Sequence, residues 1–387
     1  MSKQILAFYL TWLSALILWS PVFPGYFGIP TTVLYVPCLV IVLLLLIDKI
    51  PVWLLGVVLI IWTSFAMLAL LNNNIFYLRA VYHFPFAVLV AYYLYTCKEL
   101  RSRTVELLTI FGFIALVSCW VAFFYYYWGG EPFDAFKNPD GRWNHILLGS
   151  FSNYLLGDIS RVSFIYDEAG ALSFVICCIV IIREFGESNR LTSFIMLLLG
   201  LVTLSVTHVM ITLLYAILFI LSERRFKYWL SFAFIVSIAL FGTIKSDLSG
   251  IGFFIDRFQW SEGRFEGDNR SIQIDNFIAI ANPRILLLGA SECTPPVQCD
   301  NHGDISSSFV TPMYLGGVVF ALIQVLVHLN ALRILTARRN WFSVIAFTLI
   351  LLQRPNFLSV GYSILIMYVF WAFYFDFNKS KLLKYQR

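Results

Sequence analysis

The chain has 387 residues, of which 60% are hydrophobic, 18% aromatic and only 13% charged, with a formal net charge of +5. A mean hydropathy of +0.80 excludes an ordinary soluble domain and a disordered chain, and marks a polytopic membrane protein. The positive surplus lies in loops between apolar runs, so it is not a nucleic-acid footprint.

A helix needs roughly 20 apolar residues to cross the hydrocarbon core. In chain order the apolar runs predict about twelve such spans, at 4–20, 31–47, 52–71, 78–97, 104–128, 168–184, 191–206, 208–222, 229–244, 308–329, 341–353 and 356–375. The pair at 191–222 has two readings, a tight hairpin at "THVM" or one long tilted helix. The first run carries no small-residue cleavage site and reads as a signal-anchor. The fold class expected is therefore an all-α polytopic membrane protein, one membrane domain over residues 1–387.

Lys and Arg concentrate in "CKELRSR", "REFGESNR", "SERRFK", "ARRN" and "KSKLLKYQR", which with Lys3 and Lys49 fall on one side. By the positive-inside bias that side is cytoplasmic, as are both termini. Two longer loops, 129–167 and 245–307, are then extracytoplasmic. Cys38, Cys97, Cys119, Cys177 and Cys178 lie in or beside spans, where cysteine serves as a small hydrophobe. Cys293 and Cys299, in "CTPPVQC", fall in the large outer loop, where an oxidising compartment favours a local disulfide over two free thiols.

The outer basic residues are mostly arginine: Arg79, Arg142, Arg161, Arg257, Arg264, Arg270, Arg284 and Arg354, beside Lys137 and Lys245. Guanidinium forks bind phosphate and carboxylate oxygens bidentately, so this selection points to an anionic ligand, with lipid headgroups and loop carboxylates such as Asp275 as the plainer partners. Three stand out. Arg161 in "RVSFIYDEAG" precedes a span closely, with Asp167 and Glu168 at the loop–membrane boundary. Arg270 opens the amphipathic stretch "SIQIDNFIAI". Arg354 sits in the short turn "LLQRPNF" between two spans. His302, in "CDNHGDISSSF", has Asp300 and Asp304 two residues away, as suits a general base, with His145 a weaker second. His83, His208 and His328 lie in or beside spans and are expected to bridge helices. Walker, dinucleotide and zinc-protease motifs are missing from the sequence, as is four-cysteine metal spacing, so no metal is expected.

"RVSFIYDEAGALSF" resembles the R-x-S-G-x-F-x-E-P-x-x-L pattern of O-antigen polymerases (Wzy type) and the related O-antigen ligases, with Phe164 at the Gly position and Ala169 at the Pro position. "DNRSIQIDNFIAIANPRILLLGAS" is similar to their large-loop pattern, and "HGDISSSFVTPMYLGGVVFALI" to their entry into the next span. The resemblance covers roughly 155 to 330. It implies a C-type (GT-C) membrane glycosyltransferase fold and metal-independent inverting transfer, without a cofactor, from undecaprenyl-diphosphate-linked repeat units at the outer face of the bacterial inner membrane. Membrane lipids and a chain-length regulator are the partners it suggests. Glu168, His302, Arg161 and Arg270 would be catalytic, and Arg161, Arg270, Arg264, Arg354, Arg257 and Asp304 would bind diphosphate or glycan. His302 lies further from Gly316 than the ligase pattern sets its histidine, which favours polymerase over ligase. A lipid-linked glycan transporter would want charged or broken helices at mid-membrane.

Overall fold

A computed structural model describes residues 2–72, 75–138, 141–157, 159–186, 188–223, 259–261, 264–265, 269–290, 309–334, 340–354 and 359–385. The described chain is mostly helical. Helix α1 (Lys3–Leu13) continues into a π-helical turn at Ser14–Leu18, and the short α2 (Val22–Gly25) follows. Next come α3 (Thr31–Leu46), α4 (Val52–Asn72), α5 (Ile75–Thr96) and the 30-residue α6 (Lys98–Tyr127). Among the described residues five helical segments are long and apolar enough to cross a membrane: Thr31–Lys49, Val52–Leu71, Lys98–Tyr127, Thr311–Leu332 and Val360–Asn378. The expected span 229–244 lies outside the described residues.

The loop expected at 129–167 is a folded sheet, which corrects the all-α reading. Strands β1 (Asp134–Lys137), β2 (Trp143–Leu147), β3 (Ser150–Leu156) and β4 (Ile159–Phe164) form an antiparallel meander in sequence order. Its turns carry Gly141 at φ 78°, Gly149 at φ 84° and Gly157 at φ 50°, the left-handed backbone that tight hairpins require. Phe111 of α6 meets Phe164 edge-on at 5.8 Å, and Tyr26 beyond α2 meets Phe136 at 5.9 Å, so the sheet caps one end of the helices.

Helix α7 (Ala169–Phe185) is buried from Ala169 through Arg183. A helix apolar on every face belongs inside a bundle rather than against lipid, and α7 packs against α6, α8 (Arg190–Leu199), α9 (Val206–Glu223), α13 (Trp341–Gln353) and α14 (Val360–Tyr385). The hairpin reading of 191–222 holds, with the bend at Leu204 (φ 49°) rather than in "THVM". Phe194 stacks on Tyr215 at 6.5 Å, which only an antiparallel pair of helices allows.

Strands β5 (Trp260–Ser261) and β6 (Arg264–Phe265) make a two-residue ladder ahead of α10 (Asn269–Ile280) and α11 (Pro283–Leu288). The Asn282 side chain caps α11 by accepting from the Ile285 N–H at 3.0 Å. α11 packs against α12 (Thr311–Leu332), whose helix breaks at Gly316–Gly317. At the break Gly317 takes φ 57° and any Cβ would strike the Leu287 carbonyl, while Tyr77 donates to the Gly316 carbonyl at 2.5 Å. Gly317→Ala combines left-handed strain with that clash and is expected to destabilise by about 1–3 kcal/mol. Gly56, in helix α4 with open space around it, should become slightly more stable as Ala, by up to about 1 kcal/mol. Thermal unfolding in detergent checks the pair, and equal behaviour would contradict the Gly317 packing.

Candidate functional site

The sheet and α7 meet at the segment between Phe164 and Ala169. Tyr166 is buried beneath it, its ring against Trp19 at 5.4 Å, and Ser20 donates to the Ile165 carbonyl. Trp19 also meets Tyr362 of α14 at 4.8 Å. Phe164 stands at φ 56°, a backbone that favours glycine, and is held there by an N–H···Oγ bond to Ser150 at 2.7 Å. This is the position where the resembled pattern carries Gly.

Glu168 is the N-cap residue of α7 and lies just outside the helix. It forms an ion pair with Arg354, the C-cap residue of α13, and a second with Arg142 Nη1 at 3.6 Å. Arg354 is 8% exposed in its side chain and Glu168 24%, whereas Arg142 is half exposed. Gly170 makes room for the arginine, since a Cβ there would lie 2.9 Å from Arg354 Nη2. Arg142 is placed by the β1–β2 turn, where Asn138 Oδ1 accepts from its N–H at 2.9 Å and Asn138 donates back to its carbonyl. Arg161, in β4, is near enough to act on the Glu168 carboxylate, though less strongly than the other two.

Burial opposes charge on Glu168, yet Arg354 foremost, then Arg142 and Arg161, hold its carboxyl below the usual carboxylate range. Burial likewise opposes charge on Arg354, and Glu168 reverses it, raising that pKa. Glu168 is thus a carboxylate held in place by guanidinium groups. Its folded pKa lies below the unfolded value of about 4.3, so its stabilising contribution is complete above that value and is lost as pH falls through the folded one. The unfolding temperatures of wild type and Glu168→Gln should therefore converge on acidification. A constant gap through the acid range would contradict the ionised pairing.

Arg354 Nε and, two residues from Arg142 in sequence, the Asn144 amide are buried without a hydrogen-bond partner among the described residues. The Nε–H calls for an acceptor, and the amide for both an acceptor and a donor. Among the described residues no group of three His, Cys, Asp or Glu is placed to hold a metal ion.

Of the sequence-predicted site residues, Glu168, Arg161 and Arg354 come together. Arg354 is the closest partner of Glu168, and Arg161 acts on it more weakly. Arg142 enters the site although it was not singled out among the outer arginines. Arg270 is the second residue of α10, as its pattern predicts, and Arg264 lies in β6; only their backbones are described. Arg257, His302, Asp304 and the Cys293–Cys299 pair lie outside the described residues. His83 bonds Tyr35 of α3 at 3.2 Å and His208 bonds Ser173 of α7 at 3.2 Å, both between helices, while His328 bonds the Gln324 carbonyl of its own helix at 2.7 Å. Cys119, Cys177 and Cys178 are buried as free thiols.

No protein family, curated protein or solved structure matches the chain.

Proposed function

We propose that this protein is a membrane glycosyltransferase of GT-C-like architecture that polymerises undecaprenyl-diphosphate-linked repeat units into O-antigen or a related surface polysaccharide. The observation that carries this reading is the convergence of Arg142, Arg161 and Arg354 on Glu168 at the mouth of α7. Negative charge grows on a departing diphosphate in the transition state, and preoriented guanidinium groups stabilise it there without reorganising. The glycine-like backbone of Phe164, between Arg161 and Glu168, supports the motif resemblance independently of side-chain identity.

In this reading Arg142 and Arg161 meet the diphosphate, with Arg270, Arg264 and Arg257 contributed by the larger loop. Glu168 is a positioning residue that holds Arg354 and Arg142. Because the Glu168 carboxylate is engaged by Arg354 and Arg142, the proton of the acceptor hydroxyl is assigned to another base, for which His302 is proposed, with Asp304 beside it. The transfer inverts the donor sugar and is proposed to need no metal.

The site faces the periplasm of the inner membrane, with both termini cytoplasmic. Phe133 and Trp260, 63% and 66% exposed, lie in the two loops assigned to that face. Phe133→Cys and Trp260→Cys should label with an impermeant thiol reagent in intact spheroplasts, and protection of both would overturn the orientation. The function is tested by the surface glycan of a deletion strain. Core capped with single repeats supports the polymerase, core lacking all repeats would point to the ligase, and an unchanged polymer would contradict both.

A further inference from the structure

Helix α7 ends about 25 Å from Glu168 at 1.5 Å per residue. There a cleft of about 860 Å³ lies between the α5–α6 corner, the α7–α8 turn and α14, and its lining includes Lys98, Arg101, Glu106, Arg183, Phe375 and Asp376. Arg183 is only 5% exposed. It donates to Ser193 Oγ at 3.0 Å, Thr109 Oγ1 at 2.5 Å and the Asn189 carbonyl at 3.0 Å, all neutral oxygens. The adjacent carboxylate, Glu184, accepts from Tyr215 at 2.5 Å and pairs with Arg190 at 3.5 Å, and reaches Arg183 only through its field. A buried guanidinium bonded to neutral acceptors retains a strong demand for an anion.

Lys98 and Arg101 stand in the first turn of α6, where the helix dipole adds positive potential. Arg101 is steadied over the Tyr95 ring at 5.2 Å, and that ring stacks on Phe375 at 5.6 Å, giving the cleft an apolar wall beside its charges. The three cations in the lining outnumber its two carboxylates by one. We propose that this cleft binds the phosphate group of a monoanionic phospholipid, with Arg183, Arg101 and Lys98 toward the phosphate and Phe375 against the start of an acyl chain. The assignment is independent of the reaction proposed at Glu168.

Native mass spectrometry of the full chain in detergent, supplied with phosphatidylglycerol or phosphatidylcholine, tests it. The phosphatidylglycerol adduct should be retained preferentially, and Lys98→Gln with Arg101→Gln should reduce it on the order of thirtyfold, the combined effect of removing two basic residues near an anionic lipid. Lys3→Gln with Lys49→Gln removes the same charge from exposed positions outside the cleft and should leave the adduct intact. Equal retention of both lipids, or equal loss in the two double variants, would overturn the site. Displacement of the lipid by soluble sn-glycerol 3-phosphate would assign the phosphate to a soluble ligand and overturn the lipid assignment.

Discussion

Arg161→Ala is expected to lower polymer formation from lipid-linked repeat units by about a hundred- to a thousand-fold, the loss typical of removing one donor from a developing oxyanion. Arg161→Lys should recover little of it, because an ammonium keeps the charge but cannot reproduce the two-pronged guanidinium contact. Arg142→Lys should behave alike, since Arg142 is the half-exposed member of the cluster and the one most open to an arriving ligand. Arg284→Lys, at the surface of α11, should be tolerated. Polymer length on gels, with each variant's membrane level matched to wild type, checks the series. Wild-type polymer from both lysine variants would remove the guanidinium role.

Arg354→Ala is expected to cost about 3 kcal/mol of stability, because it removes the closest partner of the partly buried Glu168 carboxylate. That is the low end for a broken buried pair, since Glu168 keeps 24% of its exposure. The double variant Glu168→Gln with Arg354→Gln should be less destabilised than Arg354→Gln alone, as neither charge is then stranded. Thermal unfolding in detergent reads both, and strictly additive losses would show that the pair is not coupled.

The helical part of this architecture was largely legible. Runs such as 31–47 and 52–71 recur as α3 and α4 because crossing-length apolar stretches have few other stable forms. Hydropathy does not separate a helix that faces lipid from one buried among other helices, so the central place of α7 could not be read from "ALSFVICCIVII". The sheet at 134–164 had a local signal in its "DG" and "LGS" turns, but its strands are short and β3–β4 pairing is broken by register shifts between Phe151 and Leu155, which blurs the alternation.

The site divides in the same way. Arg161 and Glu168 are legible because they are neighbours in sequence at the edge of a span. The short turn marks Arg354, but its pairing with Glu168 spans 186 positions and depends on how α7, α13 and α14 pack. Arg142 reaches Glu168 only through the meander, whose register places the β1–β2 turn beside the N-terminus of α7. Without the strands it is one more arginine in a polar loop.

Arg142 and Arg161 are proposed to receive a lipid-linked diphosphate. Binding of undecaprenyl diphosphate to the purified full chain in nanodiscs tests it most directly, with undecaprenyl monophosphate as the comparison ligand and Arg142→Gln with Arg161→Gln as the comparison protein. The diphosphate should bind the wild type more tightly than the monophosphate, and the double variant should lose tenfold or more, about 1.4 kcal/mol, while keeping the wild-type elution profile. Equal affinity of wild type and double variant for the diphosphate would contradict the account.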